Sequence, residues 1–232
     1  MLIGALQRFS LIDYPGRISC IVFTQGCNFR CPFCHNPELV NPDLFTPTLM
    51  PGILFDFLEK RVRKLDAVVI TGGEPTIHAD LAEIIQEIKH LGFLVKLDTN
   101  GSHPEILETL LERRLVDFIA MDIKAPLRLY DRACGVPLQE RLRQAIRQSI
   151  RLIIDSGISH EFRTTIVRDL LHKAHILEIA SLVRGANSYV LQNFVPSKTL
   201  DRSFLDYSPF EQNDLDELMG RMKELQVSCT LR

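Results

Sequence analysis

The chain reads as an α/β protein, a partial (β/α)6 TIM-like barrel with parallel strands inside and helices outside, and three observations predict it. Short apolar, β-rich runs recur at 18–24, 65–71, 93–98, 116–122, 161–167 and 188–194. They are nearly continuous in hydrophobicity, which marks strands covered on both faces rather than half-exposed ones. Stretches with helical period separate them, at 49–63, 78–90, 103–113, 139–154, 172–183 and 208–225, and right-handed crossovers turn such a βα repeat into a barrel or a doubly wound sheet.

The first run, 18–24, is rich in Ile, Val and Phe and ends at a cysteine loop. The second, 65–71, stops at Gly72-Gly73-Glu74-Pro75, where two glycines and a proline punctuate the chain. The helix after it has Asp80 followed by Glu83 as a start signal, and the next has Ser102-His103-Pro104-Glu105. Ser208-Pro209 opens the last helix by the same logic, and 226–231 reads as an extra edge strand. No linker, low-complexity tract or short repeat divides the chain, so residues 1–232 are expected to form a single domain.

A chain of 232 residues that is 46% hydrophobic can bury a substantial core. Its formal charge of −2 provides no global positive field to collect nucleic acid or anionic membrane. No apolar stretch is long enough to span a bilayer, and Met1–Phe9 lacks the basic start of a signal peptide. A cytoplasmic protein is expected, with no nucleic acid and no membrane among its partners. Six cysteines, three of them in one loop, suit metal ligation in a reducing compartment better than a disulfide framework. Cys20, Cys134 and Cys229 are scattered and read as small buried or partly buried thiols.

Cys27, Cys31 and Cys34 have C-x3-C-x2-C spacing, with no fourth cysteine near. Cubane iron–sulfur clusters take one thiolate per iron, so three leave one iron with an open position, as in a catalytic rather than a closed metal site. The alternative is a structural zinc loop with His35 as fourth ligand, although adjacent residues seldom aim both side chains at one small ion.

Ligands of such folds gather at the carboxyl ends of the strands, and the unusual residues lie there. The cysteine loop follows the first strand, Gly72-Gly73-Glu74 the second, Asp98-Thr99-Asn100-Gly101 the third and Asp122-Ile123-Lys124 the fourth. Arg163 lies within the fifth, and Gln192 and Asn193 end the sixth. Gly72 and Gly73 remove side chains, which lets a ligand approach the backbone. Glu74 offers a carboxylate to an ammonium and Lys124 an ammonium to a carboxylate, as an amino-acid zwitterion needs. Asp98 and Asp122 with Thr99 offer oxygen ligands that favour a hard cation, or else cap turns.

The cysteine loop with Gly72-Gly73-Glu74-Pro75 resembles the radical S-adenosylmethionine superfamily over essentially the whole chain. Cys31-Pro32-Phe33-Cys34-His35-Asn36, the Asp98–Gly101 turn and the Asp122/Lys124 pair are similar to the activating enzymes of glycyl radical enzymes. Best matched are the activases of anaerobic ribonucleoside-triphosphate reductase, with the pyruvate formate-lyase activase as a relative. The resemblance implies one 4Fe-4S cluster on Cys27, Cys31 and Cys34, with S-adenosylmethionine chelating the fourth iron. These cysteines and Lys124 would carry catalysis. Phe33 would lie against the adenine, Glu74 and the backbone of Gly72 and Gly73 would hold the amino group, and Lys124, Arg163 and Asn193 would serve the carboxylate and ribose. Asp98, Thr99 and Asp122 would bind a monovalent cation, and Asp13 would contact the partner's glycine loop, a plain turn around Pro15-Gly16 being the alternative.

The implied reaction takes one electron from a flavodoxin or ferredoxin, cleaves the sulfonium C–S bond to methionine and a 5′-deoxyadenosyl radical, and abstracts hydrogen from a glycine α-carbon of the partner. Asp13-Tyr14-Pro15-Gly16 departs from the Asp-Gly-Pro-Gly of the pyruvate formate-lyase kind, which shifts weight toward the ribonucleotide reductase branch. His78, His172 and His175 sit near helix starts as polar residues routinely do, and Arg141, Arg143, Arg147 and Arg151 read as a solvated helix face. Phe204, Tyr207 and Phe210 read as a partner surface or a cover for the barrel bottom. Competing readings are a radical enzyme acting on a small molecule or peptide, since the shared motifs set the radical and not its target, and a non-enzymatic zinc module. The brevity of the chain beyond the barrel core favours a protein partner as the lid.

Overall fold

The computed structural model describes residues 1–137 and 139–232. Strand β1 (Ile3–Ser10) leads into β2 (Ser19–Thr24), helices α1 (Pro37–Val40) and α2 (Pro51–Glu59), β3 (Ala67–Gly72), α3 (Leu81–His90) and β4 (Leu94–Thr99). There follow α4 (Pro104–Glu112), β5 (Phe118–Asp122), α5 (Tyr130–Cys134), α6 (Glu140–Asp155) and β6 (Ser159–Ile166). The chain closes with α7 (Lys173–Leu182), β7 (Tyr189–Asn193), α8 (Gln212–Glu224) and β8 (Cys229–Leu231).

Among the described residues, eight strands form one sheet in chain order. Strands β2 to β8 are mutually parallel, so the predicted βα repeat and the extra edge strand are both present. The sheet curls without closing, because β1 and β8 are its two edges. Strand β1 was not expected: Gly4, Gln7 and Arg8 give it no clean period, and most of it is solvent-accessible. It is added antiparallel to β2, an arrangement in which one covered face suffices.

Alternation along the strands splits the apolar residues into two layers. Val22, Val68, Ile70, Val95, Leu97, Ile119, Met121 and Phe162 pack outward against the helices in the main core. Ile21, Ala67 and Val69 point into the barrel, where they meet Phe23, Leu94 and Phe118. Tyr14, standing where related chains were expected to have glycine, fills this inner cluster and approaches Phe118 at 5.8 Å between ring centroids. Each fully buried Leu, Ile or Phe contributes about 1.5–3 kcal/mol by leaving water.

One helix start differs from expectation. Helix α8 begins after Glu211, while the Ser208 amide hydrogen-bonds the Asp169 carboxylate, so Ser208-Pro209 belongs to the preceding loop. Asp80 holds the N-cap position of α3, where its start signal places it, although its side chain makes no capping bond. His172 and His175 form a reciprocal capping pair on α7. Among the described residues no helix is long and apolar enough to cross a membrane.

Register brings the functional residues level. Thr24 pairs with Gly72, Thr99 with Met121, Asp122 with Arg163 and Ile166 with Asn193. The loops that leave these strand ends therefore open at one rim of the barrel.

Candidate active site

The cysteine loop leaves β2 at the rim and is fixed by backbone before any ligand is considered. Gly26 donates to the Leu39 carbonyl at 2.8 Å, Arg30 donates its amide to the Cys134 carbonyl at 2.8 Å, and Cys34 donates to Cys31 at 3.0 Å in a tight turn. Gly135, left-handed at φ +66°, ends α5, and a Cβ on it would sit 2.0 Å from the Arg30 carbonyl oxygen. The Arg30 guanidinium folds back onto the Cys27 and Phe29 carbonyls at 2.6 and 2.7 Å. Cys134 and Gly135 thus grip the loop, a role for which the sequence offers one signal, a glycine just after a short helix.

All three thiols of the loop line one cavity of about 320 Å³, together with Phe33, Glu74, Asp98, Asp122, Lys124 and Arg163. Burial pushes the Cys31 thiol up to about 12 and, with Glu74 nearby, the Cys27 thiol up to about 11; Cys34 is raised for the same reason. The Phe29 amide donates to the Cys27 sulfur at 3.4 Å, an interaction that favours thiolate. Soft donors grouped on a concave wall fit an iron–sulfur cluster, and binding it must expel the thiol protons. Against the zinc alternative, no three His, Cys, Asp or Glu side chains among the described residues converge on a single metal ion, while the His35 Nε2 lies 3.0 Å from the Val195 carbonyl and its ring packs on Phe194.

Gly72 and Gly73 do admit backbone, but it is the chain's own. A Cβ on Gly73 would meet the Gly26 carbonyl oxygen at 1.9 Å, and one on Gly72, at φ +113°, would meet Thr24 at 2.5 Å. The Gly73 amide donates to Thr24 and the Glu74 amide to Gly26, at 2.9 and 2.8 Å, so the turn is clamped to the start of the cysteine loop. Glu74 is fully buried. Its Oε1 accepts from Thr76 Oγ1 at 2.5 Å, Thr99 Oγ1 at 2.7 Å and the Thr76 amide at 3.1 Å, and its Oε2 accepts from the Asn100 amide at 2.6 Å. Burial raises its pKa against the pull of these donors. Only Oε2 keeps room for a further donor such as an ammonium.

Asp98, Asp122, Lys124 and Arg163 come together as expected, but as a chain of charges. Arg163 Nε donates to Asp122 at 2.8 Å and its Nη1 to Asp98 at 3.0 Å, and Lys124 Nζ donates to the other Asp122 oxygen at 3.0 Å. Lys96, buried in β4, pairs with the second oxygen of Asp98. Burial would raise both aspartates, but Arg163 with Lys96 holds Asp98, and Arg163 with Lys124 holds Asp122, below the usual carboxylate range. The expected oxygen cage for a cation differs accordingly. A guanidinium lies between the two carboxylates, and the Thr99 hydroxyl is directed to Glu74.

Asn193 is not at the cavity. Neighbours on a strand face opposite ways, and Asn193 exchanges two 3.0 Å hydrogen bonds with the Phe210 backbone while Gln192 lines the cavity. Thr71, Thr165 and Asn100 line it as well, each at a strand end or just past one. Phe33 is buried and packs on Phe204 at 6.3 Å, which itself stacks on Tyr207 at 4.3 Å, so these aromatics cover the cysteine loop rather than the barrel bottom. Asp13 reaches the cavity from the β1–β2 connection and accepts a hydrogen bond from Ser10.

A three-thiol loop at the rim of a partial parallel barrel, opposite a buried carboxylate and a paired lysine, defines a site for a metal cluster and a zwitterionic cofactor. The sequence profile of the Radical SAM superfamily matches residues 21–181, and the chain belongs to that superfamily, whose cofactors are a 4Fe-4S cluster and S-adenosylmethionine. A chain of Methanocaldococcus jannaschii provisionally named a glycyl-radical enzyme activating enzyme is 33% identical over 222 residues, 94% of this chain and 90% of its own. The pyruvate formate-lyase-activating enzyme of Clostridium pasteurianum is 26% identical over 204 residues, 85% of this chain and 82% of its own. A domain of the pyruvate-formate lyase-activating enzyme from Bacteroides vulgatus superposes with a TM-score of 0.58 at 16% identity, over 72% of this chain and 99% of that one. Streptococcus suis SuiB bound to its precursor peptide SuiA gives 0.70 at 13% identity, over 91% of this chain and 48% of that one.

Proposed function

We propose that this protein is a glycyl radical enzyme activase. Cys27, Cys31 and Cys34 would hold the cluster, leaving one iron open to the amino and carboxylate groups of S-adenosylmethionine. Glu74, through the free side of Oε2, and the Gly72 and Gly73 carbonyls would take the ammonium; Lys124 and Arg163 would face the carboxylate and ribose, and Phe33 the adenine. Bound together, cluster and S-adenosylmethionine supply a hydrogen-abstracting carbon radical. The chain's own residues orient the two groups, neutralise their charges and exclude water.

The observation that carries this reading is that all three thiols open on the same cavity as Glu74 and Lys124. Two things support a protein as the target. Similarity to the archaeal activating enzyme extends over nearly the whole of both chains. The end of β1 and the β1–β2 connection next to Asp13 also expose Phe9, Leu11 and Ile12, at 55, 62 and 84%, an apolar rim suited to a protein surface. Asp13 would meet the partner's glycine loop, the partner would be anaerobic ribonucleoside-triphosphate reductase, and the electron would come from a flavodoxin or ferredoxin. Residues 1–232 would work as one radical domain.

The test is anaerobic reconstitution and reduction with S-adenosylmethionine present, assaying 5′-deoxyadenosine in wild type and Cys31→Ala, followed by EPR with candidate glycyl enzymes. A partner-dependent glycyl signal in the wild type alone supports the activase. Formation of 5′-deoxyadenosine with no protein radical on any partner points to a small-molecule or peptide substrate, and colourless protein that retains zinc would defeat the radical reading.

A further inference from the structure

Three loops that leave consecutive strands β2, β3 and β4 are joined by a closed ring of hydrogen bonds that the roles above do not use. Asn28, next to Cys27, donates from Nδ2 to Ser102 Oγ at 2.8 Å and accepts at Oδ1 from Asn100 Nδ2 at 2.9 Å. The Asn100 amide donates to Glu74 Oε2 at 2.6 Å, and Glu74 Oε1 accepts the Thr76 hydroxyl at 2.5 Å. His103 Nδ1 closes the ring, 3.1 Å from both Thr76 Oγ1 and Ser102 Oγ. Thr76 spends its only hydroxyl proton on Glu74, so the consistent assignment puts a proton on His103 Nδ1, directed at the two hydroxyl oxygens. Ser102 then keeps its own proton.

We infer that Asn28 is a positioning residue that sets the cluster-binding loop against Glu74. It bonds in two directions at once, to the clamp on Glu74 Oε2 through Asn100 and to the clamp on Glu74 Oε1 through Ser102, His103 and Thr76. Asn28 is exposed at the surface, so it contributes little by burial. What it contributes is distance: Cys27 is the preceding residue, and the cluster and the group held by Glu74 must lie within one coordination sphere of each other. The inference rests on the cofactor roles proposed for Cys27 and Glu74, and does not depend on the identity of the radical's target.

The experiment compares wild type, Asn28→Ala and Asn28→Asp after anaerobic reconstitution, measuring iron and sulfide per chain and titrating S-adenosylmethionine into the reduced protein by its effect on the cluster EPR spectrum. Aspartate keeps an acceptor for Asn100 and can take the spare Ser102 proton, so it preserves both bonds. Expected are equal cluster loading in all three, half-saturation raised about five- to tenfold in the alanine variant, and within about twofold of wild type in the aspartate variant. Three outcomes overturn the inference: an alanine variant that binds S-adenosylmethionine like wild type, an alanine variant that loses iron in parallel with affinity, or an aspartate variant as impaired as alanine. Absence of any effect of S-adenosylmethionine on the wild-type spectrum overturns both the inference and the cofactor roles beneath it.

Discussion

Gly73 and Gly220 separate two reasons for a glycine. At Gly73 a methyl group would penetrate the Gly26 carbonyl, so Gly73→Ala must displace the start of the cysteine loop. A cost of about 1–3 kcal/mol is expected from such overpacking, read as a lower urea midpoint, together with loss of cluster loading. At Gly220, inside α8, no atom other than its chain neighbours and the helix's own backbone lies within 4 Å of an added Cβ. Gly220→Ala is therefore expected to stabilise by about 0.5–1 kcal/mol through helix propensity, measured by the same unfolding curve. Residue identity in the sequence pointed to Gly72-Gly73 as a place of close approach and was read as admitting a ligand, whereas the Gly26 and Thr24 backbone approaches there. Tyr14 was legible only as a departure from a pattern, because filling the inner barrel cluster depends on Ala67, Val69 and Phe118, which are distant in sequence.

At the scale of elements, the strand ends were readable and the pairing among their side chains was not. Period and punctuation in the sequence suffice to put Asp98, Asp122, Lys124 and Arg163 at neighbouring ends. Which charge bonds which depends on register, and the pairing of Asp122 with Arg163 places the guanidinium between two carboxylates. Asp122→Asn removes a member of this chain and leaves Arg163 and Lys124 underpaired, a loss of about 1–3 kcal/mol at pH 7 for partly buried pairs. The sign of the pH dependence follows from the two aspartates lying below their ordinary range in the folded state. Their contribution is complete above about pH 4 and is lost as pH falls through the folded values. The stability gap between wild type and Asp122→Asn should therefore narrow from pH 7 to pH 3 in urea unfolding; a constant gap would show that Asp122 acts by shape and not by charge. Strand β1 escaped the sequence for a related reason, since an edge strand with one covered face carries no continuous apolar run.

The whole molecule is a sheet that curls through eight strands and stops short of closure, with its reactive groups at one rim and an apolar loop beside Asp13. Ile12 is 84% exposed, so Ile12→Asp should leave the unfolding free energy within about 0.5 kcal/mol of wild type while lowering the yield of partner glycyl radical about tenfold, as counted by EPR. An unchanged yield would remove this loop from the docking surface. The sequence by itself determined the βα repeat, the rim on which ligands gather and the three-thiol loop, because hydrophobic period, turn residues and ligand spacing are local properties of a chain. Only the tertiary structure decided that the chain's own backbone fills the space at Gly72 and Gly73, that Gln192 and not Asn193 faces the cavity, and that Asn28 closes a ring through Glu74. Those outcomes depend on strand register and on distances between residues far apart in sequence, which no local pattern encodes.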